Sequence, residues 1–202
     1  MICAVSLILL LIVFYVSVFL WRPFRLTPRT VAELIAAVER VDALELDGLL
    51  DETKEQNLRT SSSVVRFRIA QRSRARLLFE YLQRMSFNSL LIISWSYEEQ
   101  ERVLSPGMPR DEENILAVED LIRAGTELRI YAIVALAKLS WRLLLDGLRI
   151  VPLRRIARLR YAAKIDGLDA HGRFATAAAK LGATEGSEAL QRLAVLLRGS
   201  SS

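Results

Sequence analysis

From residue 30 onward, apolar positions recur every three or four residues, and no stretch keeps the period of two that marks a strand. The predicted fold class is all-α. A helix opens at Thr30-Val-Ala-Glu33, a capping-box pattern just after Pro28, and Val31, Leu34, Ile35, Val38 and Val41 form its apolar face. Gly48 is a point of interruption before DETKEQNLR, and the serines of RTSSSVV (59–65) suggest a break or a cap. A long helix is predicted from about 63 to 104, with Phe67, Leu78, Leu82 and Met85 inward. It ends before SPGMPR (105–110), whose two prolines and glycine make the clearest break in the domain.

A second long helix is predicted over 111–149, opened by Asp111-Glu112-Glu113 at the positive end of its dipole. Pro152 starts another, which Asp166-Gly167 would break. A short alanine-rich helix then ends near Gly182, and an amphipathic helix fills 185–198, with Leu190, Leu193, Ala194 and Leu197 as its buried face. The expectation is a bundle of five or six helices over 30–198, with a frayed tail at 199–202.

The first twenty residues, MICAVSLILLLIVFYVSVFL, break the periodic pattern because none is charged. About 20 such residues suffice to cross a bilayer as a helix. Trp21, Arg22 and Arg25 follow as interfacial anchors, within a basic linker at 22–29. No cation precedes the run and no small-residue cleavage pattern follows it, so residues 1–21 are predicted to be an uncleaved anchor. The charge asymmetry places the N-terminus outside and the rest of the chain in the cytoplasm, on a bacterial-type inner membrane. Residues 130–148 are a second apolar run, but Lys138, Arg142 and Asp146 interrupt it. Those three charges cost roughly 8–10 kcal/mol at a helix centre, whereas the aliphatic residues return about 3–6. One span is therefore predicted.

Charge adds a pattern that the net +5 conceals. Residues 22–60 balance at −2, 61–97 at +5, 98–127 at −6, 128–165 at +8, and the remainder at zero. Successive helices thus alternate in sign. Glu113, Asp120 and Glu127, seven residues apart, form an acidic ribbon expected to face arginines of the 63–104 helix. In RFRIAQRSRAR (66–76), Arg68, Arg72 and Arg76 share one flank of the apolar stripe, and Arg66 and Arg74 lie on the other. Pairing within the fold is the favoured role of this cluster. In VPLRRIARLRYAAK (151–164), Arg154, Arg155, Arg158, Arg160 and Lys164 surround Ile156, Leu159 and Ala163. This basic amphipathic stretch is the better candidate for anionic headgroups.

Recognised chemistry is sparse. Cys3 lies in the apolar run, leaving no cysteine for a disulfide or metal site elsewhere. His171, in DGLDAHGRF, is the sole histidine, and an exposed place at a helix cap is expected for it rather than a metal site with Asp166 and Asp169. Phosphate-binding glycine motifs and the ExxH di-metal pattern are absent, so neither a cofactor nor a catalytic set is expected. Phe67 is committed to the core, Tyr161 is the sole aromatic in the second basic segment, and no nucleic-acid-binding signature is present, which disfavours nucleic acid. The chain reads as a membrane-anchored adaptor, scaffold or accessory subunit that works by contact with a protein partner, the alternative being a lipid-surface module.

Overall fold

A computed structural model describes residues 28–105, 112–148, 165–184 and 187–198. The predicted anchor, the linker up to residue 27, the loop from Pro106, the basic stretch 151–164 and the tail lie outside these residues. Among the described residues there is no strand, and seven helices pack as a bundle: α1 (Val31–Ala37), α2 (Ala43–Leu49), α3 (Glu52–Ser61), α4 (Val64–Val103), α5 (Glu112–Gly147), α6 (Ile165–Thr184) and α7 (Glu188–Arg198). None of them is long and apolar enough to cross a membrane, and the apolar run that begins at residue 130 forms the second half of α5.

The two long helices form an antiparallel hairpin, and their register can be read from two contacts. Arg72 on α4 meets Asp146 on α5 at 2.8 Å. A Cβ placed on Gly125 of α5 would lie 2.9 Å from Ile93 Cγ1 of α4. The residue numbers of both pairs add to 218, so one register holds over much of the hairpin. Helix α6 then runs back along α5: Glu127 pairs with Arg173 at 3.1 Å and Asp120 with Lys180 at 3.5 Å, and these numbers add to 300. The core fills the seams of this three-helix stack, with Leu78, Leu91, Ile92 and Trp95 from α4, Leu121, Leu128 and Leu139 from α5, and Phe174 and Leu181 from α6. Burying each such side chain contributes about 1.5–3 kcal/mol before conformational entropy is charged against it.

Small residues set how closely the helices approach. Gly125 sits where three helices meet, and its missing side chain is the space taken by Ile93 and by Phe174, whose Cε2 would be 3.1 Å from a Cβ there. Gly182 plays the same part between α6 and α7, since a Cβ would fall 2.9 Å from the backbone nitrogen of Gln191. Against that contact α7 buries Leu190, Leu193, Ala194 and Leu197, as its spacing predicts. Helix α7 also packs on α1, so the first and last described helices meet.

Several sequence expectations are corrected. There are seven described helices instead of five or six. The first ends at Ala37, with Val38 extended, although Val41 is still buried. Gly48 lies inside α2, and the break comes at Asp51, whose carboxylate accepts from the N–H groups of Thr53 (2.8 Å) and Lys54 (3.4 Å) to start α3. Asp166 and Gly167 stand in the first turn of α6, the helix predicted to precede them lies outside the described residues up to residue 164, and α6 ends at Thr184, near Gly182 as expected. A glycine inside a helix costs only about 1 kcal/mol, which packing along α5 offsets. Phe67 is only half-buried, and the inward stripe above it is filled by Gln71 and Ala75.

Candidate functional site

The arginines of 66–76 divide by what they touch. The Arg72 Nε donates to Asp146 across the hairpin, and Asp146 is itself buried. The Arg74 Nη2 donates to the carbonyl oxygen of Leu49 at 2.6 Å and more weakly to that of Asp51 at 3.4 Å. A cation there satisfies the Leu49 carbonyl at the end of α2 and faces the negative end of its dipole. These two arginines brace α4 on opposite flanks, as expected for pairing within the fold. Arg66, Arg68 and Arg76 are exposed and form no ion pair among the described residues.

Arg74 begins a polar seam that repeats every seventh residue. Tyr81 donates a hydrogen bond to the Glu45 carboxylate, and Asn88 grips the peptide of Glu39. Arg84, between them, lies 3.6 Å from the Glu39 carboxylate and over the Tyr81 ring. Together they fasten the segment 39–51 to α4 in antiparallel order. Desolvation, reinforced by the hydrogen bond to Glu45, pushes the Tyr81 phenol up to about 12, so it stays protonated as a donor. Sequence reasoning misses this seam, although an arginine, a tyrosine and an asparagine at heptad spacing in a long helix are its signal.

The acidic ribbon has a different partner from the one expected. Asp120 and Glu127 pair with Lys180 and Arg173 of α6, not with the arginines of α4. Heptad spacing fixes one face of a helix but does not say which neighbour will cover it. His171 is another correction. It is buried within α6, and desolvation lowers its pKa, so the imidazole is held neutral. The register places it level with Arg129, whose own pKa is lowered by burial. Among the described residues no group of three or more His, Cys, Asp or Glu side chains is arranged to hold a metal ion.

Two surface features remain. The hairpin is polarised along its length. At the end away from the 105–111 connection, residues 64–83 and 135–147 carry seven basic and two acidic side chains; nearer the connection, 84–103 and 112–134 carry four basic and eight acidic. The outer face of α5 also carries an apolar stripe. Ile130 (56 % exposed), Val134, Ala137, Trp141 (52 %) and Leu148 follow one another at steps of 4, 3, 4 and 7 residues, opposite the buried Leu128, Ala132, Ala135 and Leu139. Exposed Val65 and Ile69 lie at the cationic end of α4. Such a surface attracts anions and apolar groups. The basic cluster Arg154, Arg155, Arg158, Arg160 and Lys164 and the interfacial trio Trp21, Arg22 and Arg25 fall outside the described residues.

Comparison with known protein families, with curated proteins and with solved structures gives no match for this chain.

Proposed function

We propose that this chain is a membrane-tethered helical interaction protein, an adaptor, scaffold or accessory subunit that acts by contact rather than by catalysis. The observation that carries this is the polarised hairpin: two surfaces of opposite sign stand at the two ends of one rigid pair of helices. Lys180 and Arg173 of α6 meet Asp120 and Glu127, but charge segregated over the rest of each patch costs self-repulsion and returns little to the fold unless something of opposite sign meets it. The uncharged run at residues 1–20, with Trp21, Arg22 and Arg25 behind it, supports a tether that raises the local concentration of the domain for partners in the same membrane.

The test uses the full chain expressed in bacterial cells. Alkaline extraction should leave it with the membrane fraction, and protease added outside spheroplasts should spare the helical domain. A photocrosslinker at Glu101 or Glu119, in the acidic half, should yield a discrete product that charge reversal nearby removes. Release by alkali would sink the tether. Diffuse or absent crosslinking throughout the acidic half would sink the contact role.

A further inference from the structure

We infer that the cationic end of the α4–α5 hairpin lies on an anionic lipid bilayer, with the outer stripe of α5 seated at the headgroup boundary. This rests on the contact role proposed above and names the occupant of one of its two surfaces. Ile130, Val134, Trp141 and Leu148 span about 27 Å of helix at 1.5 Å per residue, a continuous apolar line presented outward. Scattered exposed apolar residues are ordinary, but an exposed stripe held in helical phase over five turns marks a contact face.

Charge decides which occupant it suits. Between Glu127 and Asp146 the helix carries Arg129, Lys138 and Arg142 and no carboxylate, and Asp146 is turned inward to Arg72. Beside this half of α5, residues 64–79 of α4 carry five arginines and no carboxylate. Two copies of this face brought together would oppose cation to cation, which disfavours self-association. An anionic bilayer complements it throughout: aliphatic groups and the Trp141 ring enter the boundary region, and Arg68, Arg76 and Lys138 reach phosphates with their stems along the apolar surface. The chain beyond the stripe continues the same chemistry, since residues 149–164 add six cations and no acid. The carboxylates at 98–101 and 112–127 are left facing away from the lipid and open to a protein.

The test uses the full-length chain with Cys3→Ser, labelled with an environment-sensitive fluorophore at Val134→Cys or, as a control, at Glu101→Cys. Each is mixed with vesicles of phosphatidylcholine alone or with phosphatidylglycerol, at low and raised salt. The label at 134 should shift to the blue and be quenched by brominated lipid in the anionic vesicles only, and raised salt should reverse this. The label at 101 should stay wet throughout. Arg68→Gln with Arg76→Gln, both exposed, should weaken the response at 134 roughly ten- to thirtyfold with helicity unchanged. A wet label at 134 on anionic vesicles overturns the inference. So does a blue shift that grows with protein concentration and resists lipid quenching, because a second copy would then cover the stripe. Crosslinking from Glu101 or Glu119 is read separately, so the contact role can survive the loss of this inference.

Discussion

The Asn88 side chain holds the peptide of Glu39 from both sides: its Oδ1 accepts from the Glu39 N–H at 2.9 Å and its Nδ2 donates to the Glu39 carbonyl at 2.6 Å. An amide thus stands where the next turn of α1 would have been, and the chain leaves the helix at Ala37 with its polar groups satisfied. Asn88 itself is buried. Asn88→Leu should cost about 2–4 kcal/mol by urea denaturation, because the Glu39 peptide loses two hydrogen bonds. Asn88→Asp keeps the acceptor only and should be no better. A cost below that of an ordinary surface substitution would mean that the chain turns at residue 38 without help.

Glycine supplies a second test through contrast. Gly125→Ala should cost about 1–3 kcal/mol, since the new methyl falls within 3 Å of Ile93. Ile93→Ala in the same chain should recover part of that loss, giving a coupling that a double-mutant cycle can measure. Gly147→Ala meets nothing within 4 Å and should be neutral or stabilising by up to about 1 kcal/mol. Equal effects at the two positions would refute the close approach of α4, α5 and α6.

Gln71 is fully buried, and neither atom of its amide has a hydrogen-bond partner among the described residues. Burying an unsatisfied amide costs about 1–3 kcal/mol. Gln71→Leu or Gln71→Met should therefore raise the melting temperature while Ala75 and Leu78 beside it remain buried. A loss of stability would instead identify a polar neighbour that the amide serves.

His171 gives the fold a pH dependence whose sign is fixed. Its folded-state pKa is lowered by burial, so the unfolded chain takes up a proton first as pH falls. Stability contributed by the neutral imidazole is complete above the ordinary value of about 6.5 and declines below it, toward the lowered folded value. The midpoint of thermal unfolding should fall between neutral pH and mild acid, and His171→Leu should flatten that part of the profile. Carboxylates titrate lower and leave this window to the histidine.

The long helices are legible in the sequence because a period of 3.6 sustained over ten turns, bounded by serines and a proline-rich loop, has no competing interpretation. The buried face of α7 is equally plain, since Leu190, Leu193, Ala194 and Leu197 are spaced for one face and nothing else. What escapes are decisions taken by distant residues. The end of α1 depends on Asn88, forty-nine positions away, and no local signal at 37–39 records it. In the candidate surface, the arginine cluster is evident from the chain alone, but which members are spent within the fold depends on Asp146 and the Leu49 carbonyl.

The meeting of α1 with α7 has a consequence for how the chain is made. On a ribosome, residues 31–37 emerge long before residues 188–198, so the bundle cannot close until nearly the whole domain has been synthesised. In the interval Leu34 and Leu181, both fully buried at the end, stand open to whatever is near. A nascent chain tethered early to a membrane would pass that interval beside it, where chaperones and proteases of the bilayer surface meet it before its own last helix does.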